Sequence, residues 1–126
     1  KGKLAFIQNE TVKNRVALKP NSQTLEVPVV ALDELLEAKN PVCVKIDVEG
    51  FEYFVLKGAI KTLQKESLRY LIVEFNNSGL NYGVSNELLY SLITSYNFTP
   101  VTYTGNVIRE ATSFNKEKFN TLFVKK

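Results

Sequence analysis

The fold of this chain is indicated by the stretch VCVKIDVEGFEYFVLKGAI, residues 42–60. Its first part, residues 42–47, is a short and mainly apolar run that lies between a proline and a glycine and ends at Asp47. Such a run is typical of a buried parallel strand. From Phe51 the apolar residues recur at helical spacing, which predicts an amphipathic helix over residues 51–65. A strand that passes through a short loop into a helix predicts a βαβ unit.

Similar elements flank this unit on both sides. Upstream, the pattern predicts extended segments at residues 4–8, 15–18 and 26–32, and a short helix at residues 34–39 capped by Asp33. Downstream, it predicts a strand at residues 69–75, a helix from Ser85 to about residue 96, and final strands at residues 98–103 and 121–124. This order predicts an α/β fold with a mainly parallel sheet and right-handed crossovers. Because no helix separates the last two strands, one of them should be antiparallel.

Composition excludes several classes of function. The chain has 126 residues, enough for one domain, and a net charge of only +3, so neither a nucleic acid nor a membrane is an expected partner. No apolar run approaches the roughly 20 residues needed to span a bilayer. The single cysteine, Cys43, lies in an apolar run, which predicts a buried structural thiol and a reducing, cytoplasmic compartment.

Two residue types are missing from the sequence altogether. Without histidine, Ser-His-Asp and Cys-His catalysis are excluded and a zinc site is improbable, so proton transfer must use carboxylates, lysine, tyrosine or water. Without methionine, the chain is expected to be a piece of a longer product.

Charged residues gather where two of the predicted buried strands end. Asp47 and Glu74 lie at the ends of adjacent strands, Glu49 follows in the loop, and Lys45 shares side-chain parity with Asp47. In open α/β sheets, ligands bind beyond the carboxyl ends of the strands, so these residues form the predicted site. A structural ion pair between Lys45 and either Asp47 or Glu74 is an alternative, as is helix capping for Glu49 and Glu52.

A family resemblance rests on the same residues. The segment VKIDVEGFE at residues 44–52, followed by VLKGA at residues 55–59, resembles the central signature of FkbM-type methyltransferases. The segments VVALDEL at residues 29–35 and IVEF at residues 72–75 resemble its flanks, with Ala31 where threonine is usual. The similarity is close over about residues 25–80 and elsewhere extends only to the order and length of the elements.

The resemblance implies a class I, Rossmann-like methyltransferase fold, a doubly wound sheet with an antiparallel final hairpin. It implies methyl transfer from S-adenosylmethionine to a hydroxyl of a small molecule or sugar. Asp47, with Val48 and Glu49, would lie at the methionine part of the cofactor, while Glu49 and Glu74 would line the acceptor side. A carboxylate or Lys45 would take the proton. Some oxygen methyltransferases bind Mg²⁺ through carboxylates at these two strand ends, and Asp47 and Glu74 could do the same, but two acids are weak evidence for a metal.

The sequence departs from the family in one respect, since no Gly-x-Gly pattern occurs in the 126 residues. We therefore expect residues 1–126 to be the C-terminal half of one domain, which alone binds S-adenosylmethionine weakly. A half-sheet exposes a strand edge, so we expect either self-association into a homo-oligomer or a covering role for residues 3–19.

Two other functions remain open. The chain could be a non-catalytic α/β remnant that binds a protein through its open sheet edge. It could also be a small nucleotide-binding domain, although it contains no recognisable phosphate-binding loop. The acceptor would contact the loops at residues 76–83 and 105–118, where Tyr82 and Tyr103 could stack on a sugar ring.

Overall fold

A computed structural model describes residues 2–7, 14–21 and 23–126 of the chain, so Gln8, the end of the first predicted segment, lies outside the described residues. The strands are β1 Gly2–Ile7, β2 Thr24–Val29, β3 Cys43–Ile46, β4 Tyr70–Glu74, β5 Phe98–Thr104, β6 Val107–Glu110 and β7 Asn120–Lys125. The helices are α1 Leu32–Leu35, α2 Glu52–Lys57, α3 Ile60–Gln64 and α4 Asn86–Thr94, with a 3₁₀ helix at Ser78–Tyr82. Among these described helices, none is long and apolar enough to cross a membrane.

The strands form two sheets. The hairpin-like pair β1–β2 is antiparallel, and the other five strands form a mixed sheet in the order β3-β4-β7-β5-β6. Only β3 and β4 pair in parallel, whereas β7 is antiparallel to both β4 and β5. The α/β class is confirmed, but the mainly parallel sheet is wrong. The reason is that β7 lies between β4 and β5 and separates strands that run in the same direction.

A second hairpin, β5–β6, was missed by the sequence pattern, which placed a loop after residue 103. Thr104 pairs with Val107, so Gly105 and Asn106 form a two-residue turn, and Gly105 has a φ of +60°. A glycine at the first position of such a turn gives the strands the twist that they need to pair. The Gly-Asn pair between two β-branched runs was the available signal.

The predicted helix over residues 51–65 is broken into α2 and α3 at Gly58. The Asp33 carboxylate lies at the start of the second piece, where it accepts hydrogen bonds from the backbone N–H of Lys61 (2.9 Å) and of Thr62 (2.7 Å) and from the Thr62 hydroxyl (2.8 Å). Asp33 therefore caps the start of α3 and not, as predicted, its own helix, which begins after Ala31. Gly58 lies against Ala31 and not against the sheet.

The core lies between the helices and one face of the five-stranded sheet. Its fully buried side chains are Leu56, Leu63, Leu68, Leu71, Val73, Ile93, Phe98 and Phe123. The predicted helix after Ser85 is confirmed as α4, and the Ser85 hydroxyl accepts a hydrogen bond from the Leu88 N–H at 3.2 Å. Leu88, in the first turn of α4, is exposed, whereas Leu89 and Ile93 are buried.

Strand β3 is an edge strand, because among the described residues it pairs only with β4. Its side chains alternate, with Ile46 buried and both Cys43 and Lys45 exposed. The prediction of a buried thiol at Cys43 is therefore wrong, since that thiol lies on the open face. Strand β1 pairs with β2 and not with β3, so the described part of residues 3–19 does not close this edge.

Replacing Asp33 tests the cap of α3. We expect Asp33→Ala to lower the free energy of unfolding by about 1–2 kcal/mol, because three donors lose their acceptor. Burial raises the pKa of Asp33, but the hydrogen bonds from Lys61 and Thr62 outweigh it and hold the pKa below its ordinary value of 3.8. The carboxylate therefore stabilises the fold above that pH, and its contribution is lost as the pH falls further.

Urea denaturation at pH 7 and at about pH 3 measures both effects. Glu37→Ala, in the exposed turn after α1, is the control and should change the stability by less than about 0.5 kcal/mol. Equal losses in the two variants would contradict the capping role of Asp33.

Candidate active site at the carboxyl ends of strands β3 and β4

The site is built on the sharply bent loop that joins β3 to α2. Glu49 and Gly50 adopt left-handed backbone conformations, with φ of 53° and 100°. The Glu52 side chain, only 3% exposed, reaches back and accepts hydrogen bonds from the N–H of Val48 (3.0 Å) and of Gly50 (3.1 Å). A buried carboxylate is costly unless it is hydrogen-bonded, so this pairing fixes the bend. The helix-capping alternative thus describes Glu52 well, but it does not describe Glu49.

Gly50 brings this loop against the segment that follows β4. A Cβ at position 50 would lie 2.5 Å from the carbonyl carbon and oxygen of Ser78 and 2.9 Å from the nitrogen of Gly79. No side chain other than hydrogen fits in that space. The ends of β3 and β4 are therefore joined by a contact between backbones, which holds the side chains of both strand ends at short range.

Three carboxylates meet at this point. Asp47, Glu49 and Glu74 each place one oxygen within 4.8 Å of the others. Lys45 donates to Asp47 at 2.7 Å, and the Asn76 amide donates to Glu74 at 2.8 Å. We call Asp47, Glu49 and Glu74 the carboxylate cluster. All four residues predicted for catalysis therefore lie together, and the ion pair of Lys45 is with Asp47 rather than with Glu74.

Asn76 was missed by the sequence pattern. Its amide holds one oxygen of Glu74, while its own carbonyl oxygen accepts the N–H of Ser78 at 2.9 Å. An asparagine directly after a strand commonly bonds to the backbone two residues on, and this was the signal available.

The proton affinity of Glu74 is set by the cluster. Burial raises the pKa of Glu74, and the negative charges of Asp47, Glu49 and Glu52 raise it further, while Lys45 partly offsets them, so that the pKa reaches about 7. A carboxyl group with that pKa can take up or release a proton at neutral pH, as a general acid or base must. Three clustered carboxylates can equally hold a divalent cation.

An apolar cavity of about 850 Å³ opens beside the cluster. Its apolar walls come from one face of the β1–β2 pair, from residues 30–32, and from α2 with the residues that flank it. Lys45, Asp47 and Glu49 lie at its polar end, and Val48 also lines it. The sequence pattern did not find this cavity. The sequence predicted extended segments at residues 4–8 and 26–32, but neither their pairing nor what their apolar residues would contact.

The two tyrosines considered for sugar stacking are placed elsewhere. The Tyr82 hydroxyl donates to the Val16 carbonyl at 2.7 Å, and the Tyr82 ring packs edge-on against Phe51 at 5.3 Å. Tyr82 therefore supports the site structurally. Tyr103 is exposed on β5 and does not line the cavity.

An α/β sheet with acidic residues at the carboxyl ends of neighbouring parallel strands defines a site for chemistry at that edge. Residues 4–117 match the family model described as the methyltransferase FkbM domain. The chain belongs to the FkbM methyltransferase family, as its signature indicated. No curated protein and no solved structure matches the chain.

Replacing Gly50 tests the contact between the two strand ends. We expect Gly50→Ala to lower the free energy of unfolding by about 2 kcal/mol or more beyond the cost of its positive φ, because the methyl group would overlap the Ser78 backbone. Gly83→Ala is the matched control, since Gly83 has a φ of 74° and open space around its Cα. That control should cost only about 1–2 kcal/mol, the steric penalty of the left-handed conformation. Similar urea midpoints for the two variants would refute the close contact.

A second prediction concerns the proton on Glu74. Titration of the side-chain carboxyl carbons by NMR should give a pKa of about 7 for Glu74. Asp47→Asn should lower that pKa, because a neighbouring negative charge is removed and Lys45 is released from its pair. A Glu74 pKa that stays unchanged in Asp47→Asn would show that the cluster does not act electrostatically.

The same shift has a consequence for stability. The pKa of Glu74 is raised from 4.5 to about 7, so between these values the folded chain binds more protons than the unfolded one. The contribution of Glu74 to stability therefore decreases as the pH rises from 4.5 to 7 and is constant above that range. The stability of Glu74→Gln relative to the original protein should rise across the same interval, and a flat difference would argue against the shift.

Proposed function

We propose that this chain is part of an S-adenosylmethionine-dependent O-methyltransferase that acts on a hydroxyl group of a small molecule. The observation that carries the proposal is the Glu74 carboxyl, which has a pKa of about 7 and lies beside Asp47 and Glu49 at the strand ends. A hydroxyl must lose its proton as its oxygen is methylated, and a group with this pKa can receive it. Membership of the FkbM methyltransferase family supports the reaction class.

The strand directions support a class I arrangement. Strands β3, β4 and β5 run in the same direction, and β7 is inserted between β4 and β5 in the opposite direction. This agrees with the antiparallel final hairpin that the family resemblance implies. On this proposal, β3 and β4 are two adjacent central strands of the larger sheet.

The cluster suits the cationic part of the cofactor. S-adenosylmethionine carries a positive sulfonium and supplies an electrophilic methyl group, and nearby carboxylates stabilise a positive charge. Asp47, Val48 and Glu49 would hold its methionine end. No Gly-x-Gly pattern is present in the sequence, so we assign no residues to the adenosine.

On this proposal, each polar residue of the site has a separate role. Lys45 holds the Asp47 carboxylate through its 2.7 Å ion pair, and Asn76 holds one oxygen of Glu74 at 2.8 Å. The other oxygen of Glu74 can accept the hydroxyl proton of the acceptor. The new oxygen–carbon bond forms as the sulfur–carbon bond breaks, which leaves a neutral thioether. Most of the acceleration comes from holding oxygen, methyl carbon and sulfur in line.

The test uses the full-length gene product that contains this chain, with radiolabelled S-adenosylmethionine and a panel of hydroxyl compounds. We expect Glu74→Gln to lower kcat by about 10²–10⁴-fold and to leave cofactor affinity within about twofold. In the original protein, kcat should rise with pH up to a pKa near 7 and then stay constant. Glu117→Gln, at an exposed loop position, is the control.

Two results would count against the proposal. Methyl transfer by Glu74→Gln at the original rate would remove Glu74 from the reaction. Absence of both cofactor binding and transfer in the full-length product would instead favour a non-catalytic role. A separate outcome, loss of activity in EDTA, would indicate that the carboxylate cluster binds Mg²⁺.

A further inference from the structure

We propose that the cavity beside the carboxylate cluster binds an apolar alcohol or phenol, and not a polyhydroxylated sugar. This inference rests on the proposed function, because it identifies the class of acceptor for the same site. The cavity has a volume of about 850 Å³, within the range of roughly 300–1,000 Å³ that is usual for small-molecule sites.

Two groups of residues supply most of the apolar side chains that line the cavity. In the first group, Leu4 pairs with Val27 and Gly2 pairs with Val29, which places these residues, with Phe6, on one face of the β1–β2 sheet. The opposite face of that sheet carries the exposed ion pair between Lys3 and Glu26, and none of its residues lines the cavity. The apolar face therefore points into the cavity.

Helix α2 and the residue before it supply the second group. Phe51 and Phe54 are stacked with their ring centroids 4.7 Å apart, and both line the cavity together with Val55. Phe54 remains 39% exposed, so its ring has apolar surface left to cover. Apolar walls bind water weakly, so an apolar molecule of fitting size can occupy the cavity in its place.

Among the described residues of the lining, those with polar side chains are Asn14, Lys45, Asp47 and Glu49. A sugar would bring several hydroxyl groups into contact with apolar walls, where each loses its hydrogen bonds to water and gains no partner. A molecule with one hydroxyl group avoids that cost, since its body contacts the walls and its hydroxyl reaches the polar end.

The polar end is suited to a hydroxyl donor. Asp47 is already paired with Lys45, whereas Glu49 forms no hydrogen bond or ion pair with any residue of the described part of the chain. The Glu49 carboxylate can therefore accept a hydrogen bond from the ligand. Glu74 does not itself line the cavity, but one of its oxygens lies within 4.8 Å of oxygens of Asp47 and Glu49, which do. A hydroxyl bound at this end would therefore lie next to the two carboxylates that adjoin Glu74.

The experiment titrates the 126-residue chain with 2-naphthol and, separately, with methyl glucoside, and follows amide signals by ¹H–¹⁵N NMR. We expect 2-naphthol to shift the signals of cavity-lining residues and to bind at least tenfold more tightly than methyl glucoside. Val27→Phe, which fills the cavity, should weaken 2-naphthol binding at least tenfold. Val107→Phe makes the same substitution on exposed strand β6 and should leave the affinity unchanged.

The spectrum of each variant shows whether it folds, and Val55→Phe fills the cavity from α2 if Val27→Phe does not fold. Equal affinity for the two probes, no binding of 2-naphthol up to millimolar concentration, or unchanged affinity in both filling variants would overturn the inference. So would shifts of the same signals on raising the protein concentration alone, which would place a second copy of the chain in the cavity. No methyl donor is present, so these outcomes are separate from failure of the methyl-transfer assay.

Discussion

The site depends on one buried interaction, the hydrogen bonds that the Glu52 carboxylate accepts from the N–H groups of Val48 and Gly50. Glu52 is the one fully buried acid among the described residues, so its charge must be satisfied by these donors. The pairing holds Glu49 and Gly50 in left-handed conformations that an isolated loop would rarely adopt. The bent loop in turn fixes the directions of the Asp47 and Glu49 carboxylates.

Fixing those directions has an electrostatic consequence. Left free, exposed carboxylates would move apart, but the backbone contact of Gly50 with Ser78 keeps the ends of β3 and β4 together. The mutual repulsion is relieved in two ways, through the Lys45 ammonium on Asp47 and through the raised pKa of Glu74. Glu52 thus stabilises the loop while its charge adds to the proton affinity of Glu74. Glu52 has a structural role, whereas the carboxylate cluster is available for the proposed chemistry.

Sequence patterns predicted the elements that local physics controls. The α/β class, α4 with its Ser85 cap, and the acids at the ends of β3 and β4 follow from periodicity and from strand parity. Three features depend on contacts between distant residues and could not be read locally: the capping of α3 by Asp33, the insertion of β7 between β4 and β5, and the exposure of Cys43 on an edge strand. The β5–β6 hairpin is different, because its Gly-Asn turn was visible in the sequence.

The residues of the carboxylate cluster could be predicted from the sequence, but the cavity beside them could not. Asp47 and Glu49 lie in one short segment and Glu74 lies at the end of the next strand, so the topology of β3 and β4 brings these groups together. The apolar walls instead require the register of Leu4 with Val27 and the presence of that pair in the same cavity as Phe54, about 30 to 50 residues away along the chain. Alternation in β1 and β2 indicates that each strand has an apolar side, but a shift of one residue in either would turn it outward. On the proposed function, recognition of the acceptor would therefore depend on tertiary contacts, whereas the groups proposed for proton transfer are brought together by nearly local structure.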